Sequence, residues 1–273
     1  MSVHVDVTHP ADDRLADFRD LKRADRRPDR PGGQGLVIAE GTVVVRRLLA
    51  SSYPVRALLG VRRRIEELSD DLASVDVPAY VASAEVMADA VGFHLNRGVL
   101  AVADRVAQTP FERLAAGRLL LGLEGVGDHE NLGALFRNAA ALGVDGVLLG
   151  PGCCDPLYRR SVRVSMGHVL HVPFASVADL PATVKSLQVA GFSVGALTPR
   201  AGAVALPDFA GRTGERVALL LGSEGHGLSE EAIVAADHAV RVPMADDVDS
   251  INVATAGAIA CYALAARARL DTR

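Results

Sequence analysis

Polar side chains follow three apolar runs in the C-terminal half of this 273-residue chain. In chain order they are Asn131 and Arg137, then Glu224, and then Ser250 and Asn252. Arg137 falls off the apolar stripe of its predicted helix and is framed by small residues, so a ligand or a second subunit could approach it closely. Because a single surface arginine is usually only a solvated side chain, this segment alone does not define a site.

The second segment, LLLGSEGHGLSEE, surrounds Glu224 and His226 with the glycines Gly222, Gly225 and Gly227. Glycine backbone turns sharply and admits close contact with a planar ligand. The dinucleotide fingerprint G-x-G-x-x-G is absent, as are the P-loop and H-E-x-x-H motifs. A nucleotide-dependent oxidoreductase is therefore an alternative that lacks its motif.

Polar residues at helix starts also have a purely structural interpretation. Either Asp128 or Asn131 is suited to cap the helix of the first segment, and Ser250 is suited to cap the long helix of the third. The histidines and the three cysteines show no metal-ligand spacing, so the sequence predicts no metal site. We expect the cysteines to be reduced thiols.

Apolar runs alternate with helical segments through residues 118–273, which predicts a parallel sheet with helices on both faces. Ligands of such sheets bind in loops beyond the carboxyl ends of the strands. The three polar segments occupy such loops. The predicted strands begin near residues 118, 146, 191, 216 and 239, and the predicted helices span 131–142, 180–190, 229–235 and 252–269.

The N-terminal third alternates in the same way over a shorter length. Residues 33–106 predict a small α/β domain, and residues 107–117 a linker to the domain at 118–273. Residues 1–32 form a predicted basic N-terminal extension. The stretch from Arg14 to Arg30 holds seven basic residues and four aspartates. It is either a solvated helix and tail or an arm that contacts phosphate.

The composition is that of a folded protein with an aliphatic core. Hydrophobic residues make up 49% of the chain, and there is no tryptophan. The start of the chain is too polar for a secretory signal, and no apolar run reaches the length of about 18 residues that spans a bilayer. We therefore expect a soluble cytoplasmic protein with no membrane partner. The net charge of −4 neither favours nor excludes nucleic acid.

Taken together, the three segments resemble the three motifs of the SpoU (TrmH-like) family of RNA ribose 2′-O-methyltransferases, a branch of the SPOUT superfamily. The resemblance is close over residues 120–265. Residues 35–104 resemble the accessory substrate-binding domain of the family, most clearly in AEGTVVVRRLLAS. Ile251 stands where leucine is common, and Ala254 where serine is frequent, but neither change removes a polar catalytic atom.

The resemblance implies an α/β fold with a trefoil-knotted C-terminal domain, built on a mostly parallel sheet and preceded by the small substrate-binding α/β domain. It also implies S-adenosylmethionine as the cofactor, bound bent within the knot without a metal, and a homodimer with active sites at its interface. The substrate would be a ribose 2′-hydroxyl of ribosomal or transfer RNA.

The same resemblance implies the site residues. Arg137, from either chain of the dimer, would approach the ribose hydroxyl or the adjacent phosphate. Because a guanidinium stays protonated, we expect it to hold phosphate or stabilise an alkoxide rather than act as the base. The residues with implied catalytic roles are Asn131, Arg137, Glu224, Ser250 and Asn252. The implied cofactor-binding residues are Leu197, Thr198, Gly222, Glu224, Gly225, Val242, Met244, Ile251 and Asn252.

Two further alternatives share the fold. One is a non-catalytic RNA-binding relative, which is disfavoured because the polar residues of all three motifs are present. The other is methylation of a different acceptor, because a fold does not determine its substrate.

Overall fold

The computed structural model describes residues 4–19, 21, 33–245 and 248–270, with side chains of the last helix described to residue 265. The chain divides into two compact units. Unit 1 consists of Met1–Ala107 and Asp155–His171, and unit 2 of Gln108–Cys154 and Val172–Arg273.

The strands of unit 1 are β1 (His4–Asp6), β2 (Leu36–Glu40), β3 (Val55–Gly60), β4 (Ala79–Val81) and β5 (Val99–Asp104). The strands of unit 2 are β6 (Leu119–Leu123), β7 (Gly146–Leu149), β8 (Phe174–Ser176), β9 (Ser193–Leu197), β10 (Val204–Ala205), β11 (Val217–Leu221) and β12 (His238–Arg241).

The α-helices are, in chain order, α1 (Thr42–Leu49), α2 (Arg62–Glu67), α3 (Ser69–Ala73), α4 (Ala84–Val91), α5 (Phe111–Leu114), α6 (His129–Leu142), α7 (Arg159–Val164), α8 (Leu180–Val189), α9 (Leu206–Arg212), α10 (Glu230–Ala235) and α11 (Val253–Leu270). Two short 3-10 helices span Asp13–Phe18 and His168–Leu170. Within the described residues, no helix is both long and apolar enough to cross a membrane.

Unit 1 is built on a five-stranded mixed sheet with the order β1-β4-β3-β5-β2. Strand β5 runs antiparallel to β2 and β3, while β4 runs parallel to β1 and β3. The small α/β domain predicted for residues 33–106 lies within this unit.

The start of the chain differs from the expected extension. Strand β1 pairs with β4, and the side chains of Leu15 and Phe18 are fully buried in the core of unit 1. The guanidinium of Arg14 donates to the Asp12 carboxylate at 2.6 Å, and this hydrogen bond lowers the pKa of Asp12 to about 2. Residues 4–18 are therefore part of the folded unit. The basic residues from Lys22 to Arg30 lie outside the described part of the chain.

Residues 155–171 also differ from expectation, because they pack in unit 1 and not in the predicted domain 118–273. Asp155 accepts a hydrogen bond from Arg105 at 2.6 Å, and the His171 ring is hydrogen-bonded to the Arg47 carbonyl at 2.9 Å. Val162 and Val169 are buried. Nothing in the local residue pattern predicts this, because the hydrogen-bond partners lie 50 or more positions away along the chain.

Unit 2 contains a seven-stranded sheet with the order β10-β12-β9-β11-β6-β7-β8, in which every pairing is parallel. The predicted parallel sheet is thus confirmed. Strands β6, β7 and β11 are buried at every residue, as expected of strands covered on both faces. The predicted linker contains α5, whose Leu114 is buried in the core of this unit with Leu120 and Leu148.

The sheet order determines which loops meet. Strands β12, β9, β11 and β6 are neighbours and run in the same direction. The loops that follow them therefore emerge at one edge of the sheet. Strands β8 and β10 were not predicted, because elements of three and two residues carry too little periodicity. Helix α9 was not predicted either.

Candidate functional site

A cavity of about 340 Å³ lies beyond the carboxyl ends of β9, β11 and β12, next to the start of α11. All nine residues that the family resemblance implies for cofactor binding line it, and so does Ser250. Gly227, which the sequence also singled out, lines the cavity too. The remaining lining residues, which the sequence did not single out, are Pro199, Leu221, Ser223, Val253 and Ala256. Most of these directly adjoin a residue that was singled out. Their position in the same loops was therefore the only feature of the sequence that could have identified them.

The loop after β11 folds back on itself as a tight turn. Ser223 and Gly227 exchange two backbone hydrogen bonds, each 3.1 Å long. Gly225 and Gly227 have φ angles of 96° and 71°, a region that side chains disfavour. The turn brings the backbone of residues 223–227 to the cavity wall.

The sequence suggested that the glycines of this loop admit close contact with a ligand. In the structure, Gly222 is instead required by a close contact within the chain. A Cβ atom placed there would lie 2.0 Å from the Gly227 carbonyl carbon and 2.1 Å from the Leu228 nitrogen. The close contact is made by the turn of the same chain, so the glycine is needed to close the turn.

Asn252 is the centre of a hydrogen-bond network. Its Nδ2 donates to Asn131 Oδ1 and to Glu224 Oε1, each at 2.7 Å. Its Oδ1 accepts from the backbone N–H of Ala254 at 2.9 Å and of Thr255 at 3.1 Å. One amide therefore joins all three segments that the sequence singled out.

The structure assigns the capping residues. Asn252 caps α11, so the prediction that Ser250 does so is wrong: the helix begins at Val253, and Ser250 precedes its first turn. Asp128 caps α6 by accepting from the backbone N–H of Glu130 and Asn131 at 2.8 and 2.9 Å. This leaves the side chain of Asn131 to bind Asn252.

Arg137 does not line the cavity. It is exposed on α6, and no hydrogen bond or ion pair joins its guanidinium to another residue that the structure describes. The next residue, Asn138, donates to the Ala254 carbonyl at 3.0 Å and so ties α6 to α11. Three of the five proposed catalytic residues, Glu224, Ser250 and Asn252, therefore line the cavity. Asn131 is joined to them by its hydrogen bond to Asn252, and Arg137 lies on the same helix as Asn131.

The small residues of α11 partly serve packing within the chain. A Cβ atom at Gly257 would lie 2.6 Å from a methyl group of Leu135, so the glycine lets α11 pack closely on α6. On the exposed face of α11, Ile259 and Tyr262 are 41% and 67% accessible.

The cysteines are free thiols outside this network. Burial raises the pKa of Cys261 to about 12, and burial also raises the pKa of Cys153. Neither thiol is activated as a nucleophile. Among the described residues, no group of three or more His, Cys, Asp or Glu side chains is placed to hold a metal ion.

A parallel sheet with a partly polar cavity beyond its strand ends defines a class of α/β ligand-binding domain. Residues 118–262 match the SpoU rRNA Methylase family. An uncharacterized tRNA/rRNA methyltransferase of Mycobacterium tuberculosis is 56% identical over 259 residues, which cover 94% of this chain and 90% of the relative. This chain belongs to the SpoU rRNA methylase family, and the sequence-based assignment to that family is confirmed.

Two further comparisons agree with this assignment. The 23S rRNA (guanosine(2553)-2′-O)-methyltransferase RlmP of Bacillus subtilis is 34% identical over 58% of this chain and 62% of the relative. The crystal structure of the AdoMet-bound rRNA methyltransferase from Sinorhizobium meliloti is 25% identical, covers 99% of both chains and has a TM-score of 0.77.

Proposed function

We propose that this methyltransferase binds S-adenosylmethionine in the cavity of unit 2 and methylates a ribose 2′-hydroxyl in ribosomal or transfer RNA. The observation that carries the proposal is that residues from separate loops, all implied by the family resemblance to bind this cofactor, line one cavity. The names of the relatives support the RNA substrate.

The cavity has the size and chemistry for such a cofactor. Its volume of about 340 Å³ lies in the range of small-molecule sites. Apolar side chains (Leu197, Val242, Met244 and Ile251) supply walls suited to the adenine ring. The Thr198 and Glu224 side chains add polar groups suited to the ribose and the amino acid part. When bound, the cofactor supplies an electrophilic methyl group on its sulfonium.

The chain's own residues then orient the acceptor. Asn252 holds Glu224 through Oε1, and the second carboxylate oxygen is free of hydrogen bonds to the described residues. We propose that this oxygen accepts a hydrogen bond from the ribose hydroxyl and takes up the proton that the hydroxyl loses. Arg137, exposed and uncommitted, is suited to bind the neighbouring phosphate and to stabilise negative charge on the oxygen that loses its proton. Ser250 lines the cavity and offers a further hydroxyl.

We also propose that two chains form a homodimer through α6 and α11, in which Arg137 of one chain serves the cavity of the other. Exposed Ile259 and Tyr262 on α11 support this interface. We further propose that the segments that line the cavity form a trefoil knot. Unit 1 would bind the RNA.

Calorimetry with S-adenosylhomocysteine tests the cofactor, and mapping 2′-O-methyl groups in total RNA with and without the protein tests the substrate. We expect micromolar binding and the loss of one or a few ribose methyl groups when the protein is absent. An unchanged methylation map, or no heat of binding and no thermal stabilisation by the ligand, contradicts the proposal.

A further inference from the structure

Glu124 is the first residue after β6 and holds the neighbouring loop by two hydrogen bonds. Its Oε2 accepts from the Ser229 backbone N–H at 2.7 Å, and its Oε1 accepts from the Ser229 hydroxyl at 3.0 Å. Its own backbone N–H donates to the Leu221 carbonyl at 2.9 Å. Glu124 is half-buried and does not line the cavity.

These bonds span the turn that does line the cavity. Leu221 ends the strand before the turn, and Ser229 follows it. Ser229 also caps α10 by accepting from the Ala232 backbone N–H at 3.2 Å. Glu124 therefore fixes both ends of the segment that carries Glu224 and the turn glycines.

Glu124 holds Ser229 through hydrogen bonds and not through an ion pair with a described residue. Among the described residues, the carboxylate of Glu124 bonds to a backbone N–H and a hydroxyl, and no cation pairs with it. A carboxylate that accepts two such bonds holds its donors more firmly than a neutral acceptor does. Asn252 holds the turn through Glu224, which lines the cavity. Glu124, which does not line the cavity, holds the segment at Ser229.

We propose that Glu124 is a positioning residue that keeps the turn at residues 223–227 in the shape that cofactor binding requires. The inference rests on the proposed function, because it assumes that the cavity holds S-adenosylmethionine. The loop after β6 would then influence cofactor affinity only by holding the loop after β11.

The test measures the Kd of S-adenosylhomocysteine by calorimetry for the full-length protein and its variants. Glu124→Ala is expected to raise the Kd about tenfold or more, as the loss of hydrogen bonds to a charged group predicts. Glu124→Gln should restore affinity to within a few-fold, because its amide oxygen accepts from the Ser229 N–H while its amide N–H donates to the hydroxyl. RNA affinity without cofactor should not change in either variant.

Two matched variants sharpen the result. Glu230→Ala removes a nearby exposed carboxylate that pairs with Arg200, and it should leave the Kd unchanged. Ser229→Ala combined with Glu124→Ala should weaken binding by less than the sum of the two single effects, because both changes break the same interaction.

The outcomes separate the two proposals. If the unaltered protein binds no S-adenosylhomocysteine, the proposed function fails. If it binds and Glu124→Ala binds equally well, the positioning role is overturned. Should Glu124→Ala not fold, Glu124→Asp withdraws the carboxylate by one methylene: a raised Kd at an unchanged melting temperature supports the inference, and an unchanged Kd overturns it.

Discussion

Asn252 commits its whole side-chain amide to residues of its own chain. Both hydrogens of Nδ2 are donated, to Asn131 and Glu224, and Oδ1 caps α11. We therefore infer that Asn252 acts on the reaction by orienting those two side chains. The family resemblance implies that Asn252 is a catalytic and cofactor-binding residue, and Asn252 lines the cavity.

Replacing Asn252 by aspartate tests this role. The Asn252→Asp carboxylate would face the acceptor oxygens of Asn131 and Glu224 without a proton to donate. We expect the Kd of S-adenosylhomocysteine to rise about 10- to 100-fold, which corresponds to the roughly 1.5–3 kcal/mol of a hydrogen bond to a charged group.

A compensating change and a control accompany that variant. Adding Glu224→Gln returns a donor to the pair and should recover part of the affinity. Asn138→Asp disturbs the hydrogen bond to Ala254 between α6 and α11 and should lower the melting temperature without changing the Kd. Equal affinity of Asn252→Asp and the unaltered protein would contradict the orienting role.

Arg137 is expected to affect methylation and not cofactor binding, because it is exposed and lies outside the cavity lining. Arg137→Ala is expected to abolish methylation of RNA and to leave the cofactor Kd within a few-fold. Single-turnover methylation and calorimetry measure the two quantities. Arg113→Ala, at another exposed arginine of unit 2, should leave both unchanged. Near-normal turnover of Arg137→Ala would show that the assignment is wrong.

At the scale of elements, the turn after β11 depends on a glycine with no room for a side chain. Gly222→Ala would force its Cβ to within 2.0 Å of Gly227. Overpacking of this kind costs about 1–3 kcal/mol or more, so we expect a lower melting temperature together with a loss of cofactor binding.

Gly211 provides the matched control. It lies in α9, and a Cβ atom there would meet nothing within 4 Å. Gly211→Ala should stabilise the protein by about 0.5–1 kcal/mol, because alanine loses less backbone entropy in a helix. If Gly222→Ala melts and binds as the unaltered protein does, the turn is not closed as described.

At the scale of the whole molecule, the proposed dimer rests on the exposed face of α11. Tyr262→Glu would place a charge in an apolar interface, where it has no partner. Sedimentation at micromolar concentration should show a dimer for the unaltered protein and a monomer for the variant. Val189→Glu, at a 90% accessible position on α8, should remain a dimer. A fully active monomer would rule the interface out.

The basic residues from Lys22 to Arg30 are tested by neutralisation, because deleting residues 1–30 would also remove β1, Leu15 and Phe18 from unit 1. Replacing the basic residues of this stretch by glutamine should weaken RNA binding. For every phosphate that the stretch no longer neutralises, the slope of the salt dependence should also fall by about 0.7–0.9 units. The cofactor Kd should not change.

Arg56→Gln, at a residue paired with Asp17 and Asp104, is the control. An unchanged salt slope in the neutralised protein would mean that the stretch does not bind phosphate.

The sequence alone determined the features that depend on local pattern. Continuous apolar runs specify strands buried on both faces, and parallel strands bring their following loops to one edge. That reasoning located the polar segments, and the resemblance to a family named the residues that line the cavity. Within residues 118–273, the three longest helices, α6, α8 and α11, were predicted for the same reason, because periodicity accumulates with length.

Only the tertiary structure decided the contacts between distant residues. Asn252 meets Asn131 across 121 positions and Glu224 across 28, and Glu124 meets Ser229 across 105. The membership of residues 155–171 in unit 1 has the same origin. A side-chain hydrogen bond needs atoms within about 3 Å. No periodicity along the chain encodes such a separation, because it arises only when sheet order and loop closure bring two segments together.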